Sequence, residues 1–173
     1  MRLFVSIEFD EKTKDNLMGV MENLKKCSRK GMFYERDDLR LNFLMINNIS
    51  DIKPFQKFID DLKRNSFSVK FTRIDRSRRE GGDIYWTVAE KNPFLDDIYS
   101  RIKCMVDENG FEYDEKAFKP RVQLGKNIIA RPNFKFEEFE GIVKKISIVK
   151  YVQAMGRDIY KELYVRKCKN DLK

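Results

Sequence analysis

Apolar and polar side chains alternate at every second position in stretch after stretch of this sequence. That period commits much of the chain to β-strands with one face in a core. It is plain at Leu39-Arg40-Leu41-Asn42-Phe43-Leu44-Met45-Ile46 and at Phe67-Ser68-Val69-Lys70-Phe71-Thr72-Arg73-Ile74. Further strands read at Arg2 to Phe9, Asp83 to Ala89, Pro120 to Lys126, Val143 to Val152 and Arg157 to Lys167. Gly31 to Glu35 reads as a short extended piece before a polar turn at Arg36-Asp37-Asp38.

Three stretches follow the helical period instead. Asp10 precedes a helix from Glu11 to about Lys26, in which Leu17, Val20, Met21 and Leu24 share one face. Pro54 suits the first turn of a second helix through Phe55, Phe58, Ile59 and Leu62, and Asn92-Pro93 opens a third from about Phe94 to Glu108 that ends near Gly110. Loops are expected at Asn47 to Lys53, at the basic, glycine-ended run Arg76 to Gly82, at Asp114 to Lys119 and along Asn127 to Gly141, with a turn at Ala154-Met155-Gly156. Helices set against mostly antiparallel strands in this order predict an α+β fold.

With 173 residues, 42% of them hydrophobic, and only 4 Pro and 8 Gly, the chain suits a single domain of two closely packed lobes without long linkers. Disorder is expected only in the basic C-terminal tail. The N-terminal apolar run turns polar at Glu8 before a signal-peptide core can form, so a cytoplasmic protein away from membranes is expected. Cys27, Cys104 and Cys168 are far apart and in no metal-like spacing. They read as reduced thiols; neither a metal nor a cofactor is expected, and the chain is expected to act as a monomer.

Two features bound the chemistry. The net charge of +8 favours polyanions, though it is spread along the chain. There is no histidine anywhere. No other side chain has an unperturbed pKa that lets it both take and give a proton near neutrality, so acid–base catalysis here would need other groups.

Leu39-Arg40-Leu41-Asn42-Phe43 and Pro120-Arg121-Val122-Gln123-Leu124 share a pattern: an arginine, then an amide two residues on, between apolar positions. The period of two aims each arginine and its amide at one side of the sheet. Facing each other, the strands would line a cleft with two guanidinium groups and two amides.

Those same segments resemble the 2H phosphoesterase superfamily, in particular the bacterial 2'-5' RNA ligase / RNA 2',3'-cyclic phosphodiesterase family. Met1-Arg2-Leu3-Phe4-Val5-Ser6-Ile7-Glu8 resembles that family's first strand. Asp38 to Phe43 stands at its first His-x-Thr motif, and Phe118-Lys119-Pro120-Arg121-Val122-Gln123-Leu124-Gly125-Lys126 at its Phe-x-Pro-His-x-Thr-Leu-Gly-Arg motif. The resemblance implies a bilobal fold with two mostly antiparallel sheets lining a central cleft and helices outside. It also implies one histidine as base towards water, the other as acid towards the leaving ribose oxygen, and threonines holding the phosphate.

In this sequence the motifs are Arg40-x-Asn42 and Arg121-x-Gln123. Arginine stays protonated in proteins, so the family's acid–base mechanism is expected to be lost. Guanidinium and amide groups remain good phosphate ligands. The expected site is therefore a phosphate-binding cleft built from Arg40, Asn42, Arg121, Gln123 and Lys126, whose ligands are RNA ends or phosphorylated or cyclic nucleotides. Two other readings stay open: a phosphodiesterase that uses non-histidine groups, for which Glu35, Asp37 and Asp38 are near the first motif, and a scaffold with an empty cleft whose arginines are solvated or salt-bridged. Arg76 to Arg79 reads as a solvated loop ahead of an RNA-backbone contact, and Phe33, Tyr34 and Trp86 as core residues ahead of base-stacking platforms, Trp86 above all.

Overall fold

The computed structural model describes residues 1–131 and 134–169. The end of the C-terminal tail, 170–173, and positions 132–133 of the connecting segment lie outside the described residues. Strand β1 (Arg2–Phe9) buries Leu3, Val5 and Ile7 completely. The Asp10 carboxylate then accepts the Thr13 backbone N–H at 2.9 Å and so starts helix α1 (Glu11–Lys26). Leu17, Val20, Met21 and Leu24 face the core as their spacing requires, and the fully buried Leu17 and Leu24 each stabilise the fold by on the order of 2 kcal/mol.

Strand β2 (Ser28–Phe33), a single 3-10 turn at Arg36–Asp38 and strand β3 (Leu41–Asn47) follow. Helix α2 (Lys53–Leu62) carries Pro54 in its first turn and buries Phe55, Ile59 and Leu62, while Phe58 is half-buried. The hairpin of β4 (Phe67–Ser77) and β5 (Asp83–Ala89) leads to helix α3 (Pro93–Glu108), whose N-cap Asn92 accepts from the N–H groups of Phe94 and Leu95. The chain continues through β6 (Glu112–Tyr113), β7 (Arg121–Ala130) and the long hairpin of β8 (Phe139–Ala154) and β9 (Arg157–Lys167).

The strands form one antiparallel system in the order β2-β7-β5-β4-β8-β1-β3-β6, with β9 also on β8. The expected two sheets are thus two halves of one pairing network, and β8 is the reason. Its first residues, Phe139 to Val143, pair with β4, and Val143 to Tyr151 pair with β1, so one strand crosses from one half to the other. The halves meet again at a single bridge between Leu41 of β3 and Val122 of β7.

Several segment boundaries differ from expectation. The connecting segment is shorter because β7 runs on to Ala130 and β8 begins at Phe139. Gly141 weakens the strand pattern there, yet it is needed: a Cβ would lie 2.7 Å from Thr13 Cγ2, and the Thr13 hydroxyl accepts the Ile142 N–H at 2.9 Å. Arg76 and Ser77 belong to β4 instead of the following loop. Leu39 and Arg40 precede β3, and Pro120 precedes β7.

Candidate functional site

Leu41 and Val122, the middle residues of the two Arg-x-amide patterns, are the bridge that joins β3 to β7, and both are fully buried. Their neighbours on either side therefore point the other way, towards a shared space. Arg40, Asn42, Arg121 and Gln123 all line one cleft of about 220 Å³, together with Trp86 of β5 and Tyr160 of β9. The segment Asp114 to Lys119 closes one side; Phe118 stacks between Phe43 and Tyr99, with ring centroids 5.2 and 4.8 Å away, and the exposed Lys116 and Lys119 belong to the lining.

The two arginines are not equivalent. Arg40 is clamped: Nε donates to the Asp37 carbonyl at 3.0 Å, Nη1 to Ser147 Oγ at 3.3 Å and to Glu162 Oε2 at 3.2 Å, and Nη2 lies 3.5 Å from Glu8 Oε1. Burial raises the Glu8 carboxyl above its usual range, Arg40 opposes that shift, and the neighbouring Glu162 adds to it. Two carboxylates thus balance the Arg40 charge within the protein. Lys14 reaches Glu8 from the other side at 3.8 Å.

Arg121 has no such clamp. Its guanidinium carbon sits 3.7 Å from the centre of the Trp86 ring, and among the described residues it makes no hydrogen bond or ion pair. Burial lowers its pKa; the Asp75 carboxylate opposes this and the Arg79 charge adds to it. The Trp86 indole is fixed by donating to Ser77 Oγ at 3.1 Å. Among the described residues the Asn42 Nδ2 donors make no hydrogen bond, its Oδ1 is buried and unbonded, and the Gln123 amide makes a 3.5 Å contact from Nε2 to the Gly125 carbonyl. One unpaired cation and two under-used amides meet in a half-enclosed space, an arrangement suited to a hydrogen-bonding anion.

Lys126 falls elsewhere. It pairs with Asp158 at 3.3 Å and lines a second cleft of about 610 Å³ on the far side of Tyr160. Asp158 also accepts the hydroxyls of Tyr34 and Tyr151, each at 2.7 Å. Burial alone would raise its carboxyl, but those two hydroxyls and the Lys126 ammonium hold it below its usual value. Burial pushes the Tyr160 phenol up to about 12.

The carboxylates near the first motif do not reach the arginine cleft. Glu35 and Asp38 line the second cleft, and Asp37 offers Arg40 its backbone carbonyl. The ones that meet Arg40, Glu8 and Glu162, were missed by sequence reasoning. Glu8 had a signal, being an acid in a strand that is mostly apolar. Glu162 had none, because its approach depends on the pairing of β9 with β8, which shifts between Ile148 and Val149. Trp86 is half-buried and faces the cleft instead of the core, while Phe33 packs against the core and Tyr34 is bonded to Asp158. Among the described residues there is no group of three or more acidic, histidine or cysteine side chains placed to hold a metal ion. Among the described residues no helix is long and apolar enough to cross a membrane.

No family model matches the sequence. The chain is similar to the RNA 2',3'-cyclic phosphodiesterase of Thermotoga maritima, 22% identical over 133 residues that cover 73% of this chain and 70% of that protein. Its structure is similar to TT0787 of Thermus thermophilus, with a TM-score of 0.79 at 16% identity over 99% of this chain and 100% of that one. It is also similar to E. coli LigT complexed with 3'-AMP, with a TM-score of 0.72 at 15% identity over 96% and 97% of the two chains. The chain has the 2H phosphoesterase fold of the 2'-5' RNA ligase group. Within that fold Arg40 and Arg121 line one cleft. E. coli LigT has further been crystallised with phosphate, ATP and NADP+.

Proposed function

We propose that this 2H phosphoesterase-fold protein binds the phosphate groups of RNA ends or phosphorylated nucleotides in the arginine cleft without hydrolysing them. The observation that carries the reading is Arg121: half-buried, stacked on Trp86 and unpaired among the described residues, it is a fixed cation open to an external anion. Asn42 and Gln123 add amide groups, and the lining residues Lys116 and Lys119 add positive charge. The likeness to proteins named for 2',3'-cyclic phosphodiesterase activity and crystallised with nucleotides supports the ligand class.

Hydrolysis needs a base that can reach water beside the phosphate. Arginine cannot serve; Glu8, whose carboxyl is raised, is buried behind Arg40 and does not line the cleft; and Asp114, the carboxylate that does line it, accepts the Asn47 amide at 3.0 Å. The protein is therefore proposed to hold the phosphate ester and leave it intact.

The test is a titration with inorganic phosphate, a 3'-phosphorylated mononucleotide and a 2',3'-cyclic mononucleotide, alongside a turnover assay on the cyclic one. Expected are salt-sensitive binding, no turnover, and at least a tenfold loss of affinity in Arg121→Ala, equivalent to about 1.4 kcal/mol. Binding indifferent to Arg121→Ala would remove the anion-cleft reading. Turnover abolished by Arg121→Ala would show an active phosphodiesterase instead.

A further inference from the structure

The cleft opens onto a sheet face whose side chains follow from strand register. Asp75 pairs with Trp86 and Trp86 with Gln123; one row along, Arg73 pairs with Val88 and Val88 with Arg121. Residues directly opposite in an antiparallel sheet share a face, so Arg73, Asp75 and Ser77 of β4 stand on the same side as Trp86 and Arg121. The Trp86–Ser77 hydrogen bond agrees.

Positive charge on this face lies on both sides of Trp86. Arg73 is exposed and, among the described residues, has no hydrogen-bond or ion-pair partner. Arg79 is exposed in the turn after β4, and its one side-chain hydrogen bond goes to the Arg78 carbonyl. Arg76, on the opposite face, is the member of the run that finds a carboxylate, Asp83 at 3.7 Å. Asp75 supplies negative charge between them, with Oδ1 accepting the Arg76 backbone N–H at 2.8 Å.

The turn is anchored. Gly82, at φ 138°, lies so close to β7 that a Cβ would be 2.7 Å from the Asn127 Cα, and Lys30 of β2 reaches the Gly81 carbonyl at 3.4 Å. Cations at both ends of a face that carries a half-exposed indole match the recognition of single-stranded nucleic acid, in which positive groups follow the backbone and aromatics meet the bases.

The geometry points to a strand-binding track: with a terminal phosphate in the cleft at Arg121, Arg73 and Arg79 hold the phosphates of the neighbouring nucleotides, so that the ligand is a single-stranded oligonucleotide and not a mononucleotide. This rests on the proposed anion binding at Arg121 and extends it to the class of ligand. Each phosphate contact on a single strand contributes about 0.7 to the slope of log affinity against log salt.

The experiment compares adenosine 3'-phosphate with an adenosine pentaribonucleotide ending in a 3'-phosphate, on wild-type protein, Arg73→Ala/Arg79→Ala and Arg121→Ala, at several salt concentrations. Expected is tighter binding of the pentanucleotide to wild type. The double variant should bring it to the affinity of the mononucleotide, lower its salt slope by about 1.4 and leave the mononucleotide within about twofold of wild type. A pentanucleotide bound no more tightly than the mononucleotide, or unaffected by the double variant, overturns the track while Arg121-dependent mononucleotide binding keeps the cleft. Equal losses for both ligands in the double variant also overturn it, since the arginines would then act on the terminal phosphate. If neither ligand binds wild type, the cleft reading fails and the track fails with it.

Discussion

Arg40 and Arg121 occupy matching places in two similar strings, yet their surroundings give them opposite duties. Arg40 is held by Glu8, Glu162, Ser147 and the Asp37 carbonyl, and only 9% of its side chain is exposed. Removing one member of a buried charge cluster leaves the others unpaired, so Arg40→Ala is expected to destabilise the protein by on the order of 3 kcal/mol in urea unfolding at neutral pH. Arg121→Ala, with no ion-paired carboxylate among the described residues to strand, should cost under about 1 kcal/mol, mainly lost packing on Trp86. A reversed order would refute the division of roles. Acid should separate two carboxyls as well. Glu8 is raised in the folded protein above 4.5, so its proton favours folding; that contribution is complete below 4.5 and is lost as pH rises through the folded value. Asp158 is depressed below 3.8, so its contribution is present above 3.8 and is lost as pH falls through the folded value. Unfolding midpoints against pH should lose the first dependence in Glu8→Gln and the second in Asp158→Asn.

At the scale of elements, the helices were legible because their caps and apolar faces are local signals: Asp10, Asn92 and the spacing of Leu17, Val20, Met21 and Leu24 act within a turn or two of the chain. Strand ends were less so. Gly141 looks like a loop residue until Thr13 is placed against it, and β4 extends through Arg76 and Ser77 because β5 is there to pair with them. The β4–β5 turn offers a test. Gly82 combines φ 138° with close approach to Asn127. Gly82→Ala should therefore destabilise the protein by about 2 kcal/mol or more, whereas Gly81→Ala, at φ 83° with open space around a Cβ, bears only the backbone cost of about 1 kcal/mol. Equal unfolding midpoints for the two variants would show that the turn is not pressed onto β7.

Across the whole molecule, β8 and the Leu41–Val122 bridge turn two distant strings into one site. The bridge places positions 40, 42, 121 and 123 around one cleft, so a protein carrying Arg40→His, Asn42→Thr, Arg121→His and Gln123→Thr should acquire hydrolysis of 2',3'-cyclic nucleotides that the parent lacks. Imidazole at position 40 would lie beside Glu8 and Glu162, which favour its protonated form and suit it to the role of acid. Absence of turnover in a folded quadruple variant, measured against the parent, would show that the cleft no longer positions a cyclic phosphate.

Period-two alternation and the repeated Arg-x-amide pattern by themselves determined most of the strands, the α+β class and the sharing of one side by each arginine and its amide, because side-chain direction along a strand is a local property; that the two pairs meet in one cleft was decided by the Leu41–Val122 bridge. The absence of histidine likewise removed the usual acid–base chemistry before any fold was known. Only the tertiary structure decided that the two arginines differ, that Lys126 turns away to Asp158 and that Trp86 faces the cleft. Those outcomes depend on which carboxylates and rings arrive from β1, β5 and β9. Such arrivals are set by pairing between strands far apart in the chain, where one shift of register changes every neighbour.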